Sequence, residues 1–110
     1  RCTKGAIFDV IIDIRKNSPT FCKWTGVELN EENFLQFWIP KGFAHGFLSL
    51  KNNTIVQYKV TNFWAKDCER SLKWNDEDIS ISWPLHKIEI KNPLISAKDN
   101  NALKLQDLNF

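Results

Sequence analysis

The sequence has no methionine and only three cysteines among its 110 residues. Cys2, Cys22 and Cys68 are far apart and form no C-x-x-C pair, so we expect neither a disulfide framework nor a structural zinc site. This cysteine usage fits a reducing, cytoplasmic compartment. Since no initiator methionine is present, we expect that residues before Arg1 were removed or never included.

Signatures of several other protein classes are also absent. The four glycines form neither a G-x-G-x-x-G nor a Walker pattern, and no G-x-S-x-G nucleophile motif occurs. The only histidines, His45 and His86, are far apart, so we expect no protein-held metal. Fifteen basic and 13 acidic residues are interspersed along the chain. This charge balance does not favour binding to nucleic acid or to an anionic membrane surface. Asp9 and Asp13 interrupt the most hydrophobic segment, which therefore cannot span a bilayer.

Large aromatic side chains are the feature that the sequence has in plenty. Five tryptophans and eight phenylalanines in a chain that is 43% hydrophobic can line a cavity as well as fill a core. Around residues 37–47, Pro40 and Gly42 predict a tight turn, followed by a strand with Phe43, His45 and Phe47 on one face. A single imidazole is thereby placed in an aromatic row, either as a satisfied core histidine or as a functional group.

The spacing of turn residues predicts an all-β fold. Turn signals recur about every ten residues, as in a β-sandwich or barrel. The predicted strands cover residues 6–14, 21–29, 34–39, 43–50 and 55–62, with a hairpin connection at 51–54 and a short helix in the stretch after Ser96.

Two carboxylates lie in the first long strand. Asp9 is flanked by Ile7 and Ile11 on its own face, so it requires a hydrogen-bonding partner or a wet cavity. Asp13 is expected to end the strand near solvent.

Six polar or aromatic residues on successive segments are candidates for a functional site: Asp9, His45, Tyr58, Trp64, Glu69 and Asp99. If they converge inside an aromatic barrel, they suit proton transfer at a carbon next to a carbonyl group. That reaction needs a base, an acid and a group that stabilises the enolate oxygen.

Several runs of the sequence resemble the dTDP-4-dehydrorhamnose 3,5-epimerase family. They are K-G-A-I-F-D-V at 4–10, W-I-P-K-G-F-A-H-G-F at 38–47, Y-K-V-T-N at 58–62, Glu69-Arg70 and S-A-K-D at 96–99. The resemblance covers nearly the whole chain in the right order, and the histidine-containing motif is specific.

The resemblance implies a cupin-like double-stranded β-helix, or jelly-roll barrel, that is incomplete at its N-terminus and has a short C-terminal helix. Residues 1–110 would form a single partial domain of a homodimer. The family acts on a dTDP-linked 4-keto-6-deoxy sugar and needs no metal or organic cofactor. It inverts C3 and C5 by removing and returning protons beside the C4 ketone.

The resemblance also implies a role for each candidate residue. Tyr58 matches the proton donor, and Asp99 matches the carboxylate that orients the catalytic histidine. His45 and Asp9 match residues around the sugar. Trp64 falls where many members have a tyrosine near the nucleotide base, and Glu69 follows on the same loop.

Each role has a structural alternative. Tyr58 could be a barrel tyrosine with a satisfied hydroxyl group, and Asp99 a capping partner of Ser96. Asp9 and His45 could be a buried polar pair. Glu69 could form a surface ion pair with Arg70 or Lys66.

One family motif is missing. The catalytic base of the family is the histidine of an Arg-Gly-Leu-His motif upstream of the position of Lys4, and these residues contain no such motif. We therefore expect the chain as given to be an impaired or inactive isomerase. The alternatives are a non-catalytic cupin module for nucleotide-sugar binding or assembly, and an epimerase that acts at a single carbon.

Overall fold

Five strands carry most of the regular structure in the computed structural model, which describes residues 1–88 and 92–109. The strands are β1 (Cys2–Lys4), β2 (Ala6–Asp13), β3 (Trp24–Asn30), β4 (Phe43–Ser49) and β5 (Ile55–Val56). Three short 3-10 helices (Lys66–Cys68, Leu85–Lys87 and Leu105–Asp107) and one α-helix, α1 (Ala97–Asn100), follow. The prediction of a mostly β fold with a short C-terminal helix is confirmed.

The central strand of the larger sheet is β2, which pairs antiparallel with β3 on one side and β4 on the other. Both of its faces are covered, and this explains why its sequence is apolar almost throughout. On one face Ile7 packs with Leu29 and Cys2. On the opposite face Val10 and Ile12 pack against Ile79, in a cluster with side chains of the C-terminal half.

The small sheet pairs β1 with β5, and this overturns part of the sequence prediction. Residues 51–54 do not form a hairpin connection, because β4 and β5 belong to different sheets. The strand predicted at 55–62 is only Ile55–Val56. Its partner β1 is three residues long, and the pairing ends where Gln57 bonds to Arg1. In the part of the chain that the structure describes, no strand pairs with the residues after Gln57.

The predicted strand at 34–39 does not form either. Phe34 has a positive φ of 55°, which a regular strand does not accommodate, and Phe34 and Trp38 are both exposed. The next predicted strand is correct as β4, and the strand predicted at 21–29 forms as β3 with a later start. It starts later because Cys22 takes a positive φ in the preceding turn.

The expectation that Asp13 lies near solvent is wrong. Asp13 ends β2 as predicted, but it is only 1% exposed. Its carboxylate accepts two bonds from the guanidinium of Arg15 and one each from the hydroxyl groups of Ser18 and Thr20. These donors, Arg15 first, hold the pKa of Asp13 far below its usual range. The polar turn at 15–20 therefore folds back over the strand end and replaces solvent.

Candidate functional site

The pairing of β2 with β4 brings Asp9 and His45 together. In the register Asp9 lies opposite Phe47 and Ile11 opposite His45, so all four side chains share one face of the sheet. The Oδ1 atom of Asp9 is 2.5 Å from Nε2 of His45. The expectation that Asp9 needs a polar partner is confirmed.

Burial differs sharply between the two partners. The side chain of Asp9 is 7% exposed, whereas that of His45 is 36% exposed. The ring of Phe47 lies 6.1 Å from the imidazole, centroid to centroid, and covers part of it. A buried carboxylate thus fixes the orientation of an imidazole whose other side reaches solvent, which is the arrangement of a group that can hold or pass a proton.

A cavity of about 580 Å³ runs along β4. Every residue from Phe43 to Leu48 contributes to its wall, and the C-terminal half supplies the facing wall. That wall includes Trp83, Lys98 and Asp99. Two of the candidate residues, His45 and Asp99, therefore line the same cavity.

Asp99 lies in α1, whose first turn is capped by Ser96. The Ser96 hydroxyl oxygen accepts the backbone N–H of Asp99 at 3.2 Å. The capping alternative is thus correct for the backbone of Asp99, and its carboxylate is left exposed at the cavity.

A second cluster forms on the surface loop after residue 62. The indole N–H of Trp64 donates to Oε1 of Glu69 at 2.8 Å, and the ammonium of Lys98 lies 3.2 Å from Oε2. The indole first, and then Lys98, lower the pKa of Glu69 below its usual value. Glu69 therefore makes its ion pair with Lys98, a residue that sequence reasoning did not select. Lys98 directly precedes Asp99, so this cluster connects the loop to the cavity.

Tyr58 stands apart from the other candidates. It is 80% exposed, it follows the end of β5, and it does not line the cavity along β4. The alternative of a barrel tyrosine with a satisfied hydroxyl group is wrong for this arrangement. The structure thus joins Asp9 to His45 and Trp64 to Glu69, and leaves the phenol away from both pairs.

Two further findings concern ligands and membranes. Among residues 1–88 and 92–109, no three His, Cys, Asp or Glu side chains are grouped so that they could hold a metal ion. Within the same ranges, no helix has the length and apolar character needed to cross a membrane.

Comparison with known proteins yields one consistent match. The family model for dTDP-4-dehydrorhamnose 3,5-epimerase matches residues 1–107. The enzyme of that name from Shigella flexneri is 49% identical over 110 residues, which are 100% of this chain and 58% of the relative. The chain therefore spans a little over half the length of that relative.

Solved structures give the same result. A dTDP-4-dehydrorhamnose 3,5-epimerase from Elizabethkingia anophelis superimposes with a TM-score of 0.88 and 44% identity, over 99% of this chain and 58% of that one. The dTDP-6-deoxy-D-glucose-3,5-epimerase of Legionella pneumophila, in complex with dTDP-4-keto-L-rhamnose, gives a TM-score of 0.85 and 38% identity, over 98% and 55%.

Proposed function

Since the chain belongs to the dTDP-4-dehydrorhamnose 3,5-epimerase family, we propose that it binds a dTDP-linked 4-keto-6-deoxy sugar and serves epimerisation at C3 and C5. The observation that carries this proposal is the Asp9–His45 pair, of which His45 lines the cavity along β4. The sugar nucleotide bound by the Legionella relative supports the class of ligand.

The chemistry requires little of the protein beyond placed donors and acceptors. The C4 ketone acidifies the hydrogens on C3 and C5, because the carbanion left behind is an enolate. In the proposed arrangement the imidazole of His45, held by Asp9 through Nε2, faces the sugar, and in its imidazolium form the other ring N–H donates to the oxygen on which negative charge develops. Proton return on the opposite side of the carbon then inverts its configuration.

The remaining site roles are part of the same proposal. Tyr58 returns the proton. Asp99 lines the ligand cavity, and its role in the family is to orient a catalytic histidine whose motif these residues do not contain. Trp64 stacks on the nucleotide base, and Glu69 holds that indole by its hydrogen bond. Because Tyr58 is exposed and outside the cavity, its role requires the segment after β5 to approach the bound sugar.

We further propose a cupin-like double-stranded β-helix in which residues 1–110 form one partial domain of a homodimer. The two antiparallel sheets support this architecture. So does the outer edge of β4, with which no strand of residues 1–88 and 92–109 pairs, since such an edge is normally covered by another strand. The three free cysteines fit the cytoplasm. The proposal needs no metal and no organic cofactor.

Calorimetric titration of the full 110-residue chain with a dTDP-4-keto-6-deoxy sugar tests the proposed ligand. We expect saturable binding that His45→Phe weakens about tenfold, since it removes the polar group at the sugar. His86→Phe is the matched control, because His86 is exposed on the 3-10 helix Leu85–Lys87 and does not line the cavity. Absence of binding, or equal effects of both substitutions, would contradict the proposal.

A second experiment tests the proposed reaction, by following deuterium exchange from solvent into C3 and C5 of the sugar. Loss of an essential base costs several powers of ten in rate, so we expect this chain to be slower than the Shigella relative by at least about a hundredfold. Exchange at the relative's rate would show that a residue of this chain acts as the base, and His45→Phe would then identify it.

A further inference from the structure

Asp76 is a buried carboxylate that does not itself line the cavity along β4. It is 3% exposed and lies in the turn before Ile79, within the core of the C-terminal half. No side-chain cation of the described residues lies within ion-pair distance of it, and its two oxygens accept hydrogen bonds from backbone N–H groups. A buried carboxylate with such partners fixes the backbone that it binds.

The two carboxylate oxygens of Asp76 bind different segments. Oδ1 accepts the N–H of Asp78 at 2.8 Å and, more weakly, that of Ile79 at 3.4 Å, which closes the local turn. Oδ2 accepts the N–H of Leu105 at 2.7 Å, 29 residues along the chain. The local turn needs only one oxygen, which an asparagine or a serine also offers. The second oxygen is what an aspartate adds.

The Leu105 contact fixes the segment that carries Lys98 and Asp99. Next to it, the N–H of Lys73 donates to the carbonyl oxygen of Leu103 at 2.9 Å, beside the isolated parallel bridge between Leu72 and Leu103. From there back to α1 the chain is a compact turn, in which Ala102 donates to the carbonyl oxygen of Asp99 at 3.2 Å. A shift at Leu105 is therefore transmitted over only six residues to the cavity wall.

We propose that Asp76 is a positioning residue: through Leu105 its carboxylate holds the segment of Lys98 and Asp99 against the cavity along β4. This inference rests on the proposed function in one respect, namely that Asp99 affects binding of the ligand. The placement itself is a property of the free chain.

Asp76→Asn removes the contact with Leu105 and keeps the contact with Asp78. The amide oxygen keeps the turn at Asp78, whereas the amide NH₂ meets the N–H of Leu105, so that two donors face each other. Asp78→Asn is the matched control, since it removes the same charge from an exposed position of the same turn. Asp76→Ser is the second variant, with a hydroxyl group that closes the turn but is too short to reach Leu105.

The free chain gives the first test, by amide hydrogen exchange and by nuclear Overhauser contacts between residues 96–103 and β4. We expect Asp76→Asn to accelerate exchange at Leu105 at least tenfold and to weaken those contacts, while protected amides in β2 stay protected. Asp78→Asn should change neither. Unchanged contacts in Asp76→Asn, or unfolding of both Asp76 variants, would overturn the positioning role.

Ligand titration gives the second test. We expect Asp76→Asn to weaken binding of the dTDP-linked keto sugar roughly fivefold. Introducing Asp99→Asn into the Asp76→Asn variant should weaken binding little further, because both substitutions act through the carboxylate of Asp99. The Asp99 carboxyl carbon signal should respond to ligand in the parent chain and not in Asp76→Asn. Fully additive losses overturn the inference. A parent chain without any binding refutes the proposed function, and the first test still decides the placement.

Discussion

Asp9 and His45 meet across two neighbouring strands, with the carboxylate Oδ1 2.5 Å from the imidazole Nε2. Asp9 is buried in the central strand and His45 is half-exposed on the edge strand. The carboxylate thus has its partner within the sheet, and the imidazole has one side directed outward. The pair therefore contributes both to the stability of the sheet and to the candidate site.

The first prediction concerns the stability of this pair. His45→Phe leaves the Asp9 carboxylate buried without its partner, so we expect the free energy of unfolding to fall by about 1–3 kcal/mol. The double variant Asp9→Leu with His45→Phe has no buried polar group and should recover most of the loss. Urea unfolding of the parent chain and the two variants measures both effects. A double variant no more stable than His45→Phe would contradict this account.

The second prediction concerns acid stability. Arg15 and two hydroxyl groups hold the pKa of Asp13 far below its value in the unfolded chain, which is about 3.9. A group with a lowered pKa in the folded state contributes stability above the unfolded pKa and loses that contribution as the pH falls. We therefore expect the free energy of unfolding to decline below about pH 4 and Asp13→Asn to flatten that decline.

The control for this prediction is Asp67→Asn, at an exposed position. It should leave the pH dependence as it is in the parent chain. Arg15→Met should lower the stability at pH 6 and make the decline below about pH 4 smaller, because the folded pKa of Asp13 rises toward its unfolded value. Urea unfolding between pH 2 and 6 measures all four proteins. Identical pH profiles for the parent chain and Asp13→Asn would show that the carboxylate is not stabilised as the structure indicates.

The third prediction concerns Glu69. Its pKa is lowered first by the indole N–H of Trp64 and then by Lys98. Trp64→Phe removes the donor and keeps an aromatic ring, so the pKa of Glu69 should rise toward its usual value. A carbon-detected titration of the Glu69 carboxyl group measures the shift. Trp38→Phe, an exposed tryptophan on another segment, is the control. An unchanged titration in Trp64→Phe would refute the contact.

The fourth prediction concerns Tyr58. Because it is exposed and outside the cavity, Tyr58→Phe should change the free energy of unfolding by no more than about 0.5 kcal/mol. If it is the proton donor, the substitution should leave proton abstraction intact and slow inversion of C5. Deuterium exchange and product analysis, performed with the same preparation, separate the two steps. Equal losses in both steps would show that the acid role is wrong.

Local patterns predicted the strands that pair in the larger sheet. The alternation from Ala6 onward gave β2, and the strand with His45 formed as β4 with the expected face pattern. The segments at 34–39 and after Val56 have equally good strand patterns, but a strand forms only where another strand supplies hydrogen bonds. Periodicity describes one segment and carries no information about its partner.

The sequence predicted that Asp9 needs a polar partner, but not which of the candidate residues lie together. The apolar neighbours of Asp9 required a partner, and the sequence offered His45 as a candidate at another strand. No local pattern indicated that Asp13 is buried, because its partners come from a turn that folds back. Asp76 was missed for a similar reason, since its contact with Leu105 joins segments 29 residues apart.

The most direct test of the account is a titration of the isotope-labelled chain with a dTDP-4-keto-6-deoxy sugar, followed by nuclear magnetic resonance. The account predicts that the ring signals of His45, the amide signals of β4 and the carboxyl signal of Asp99 all shift and saturate together. Binding that leaves His45 and Asp99 unchanged, or no binding at all, would contradict it.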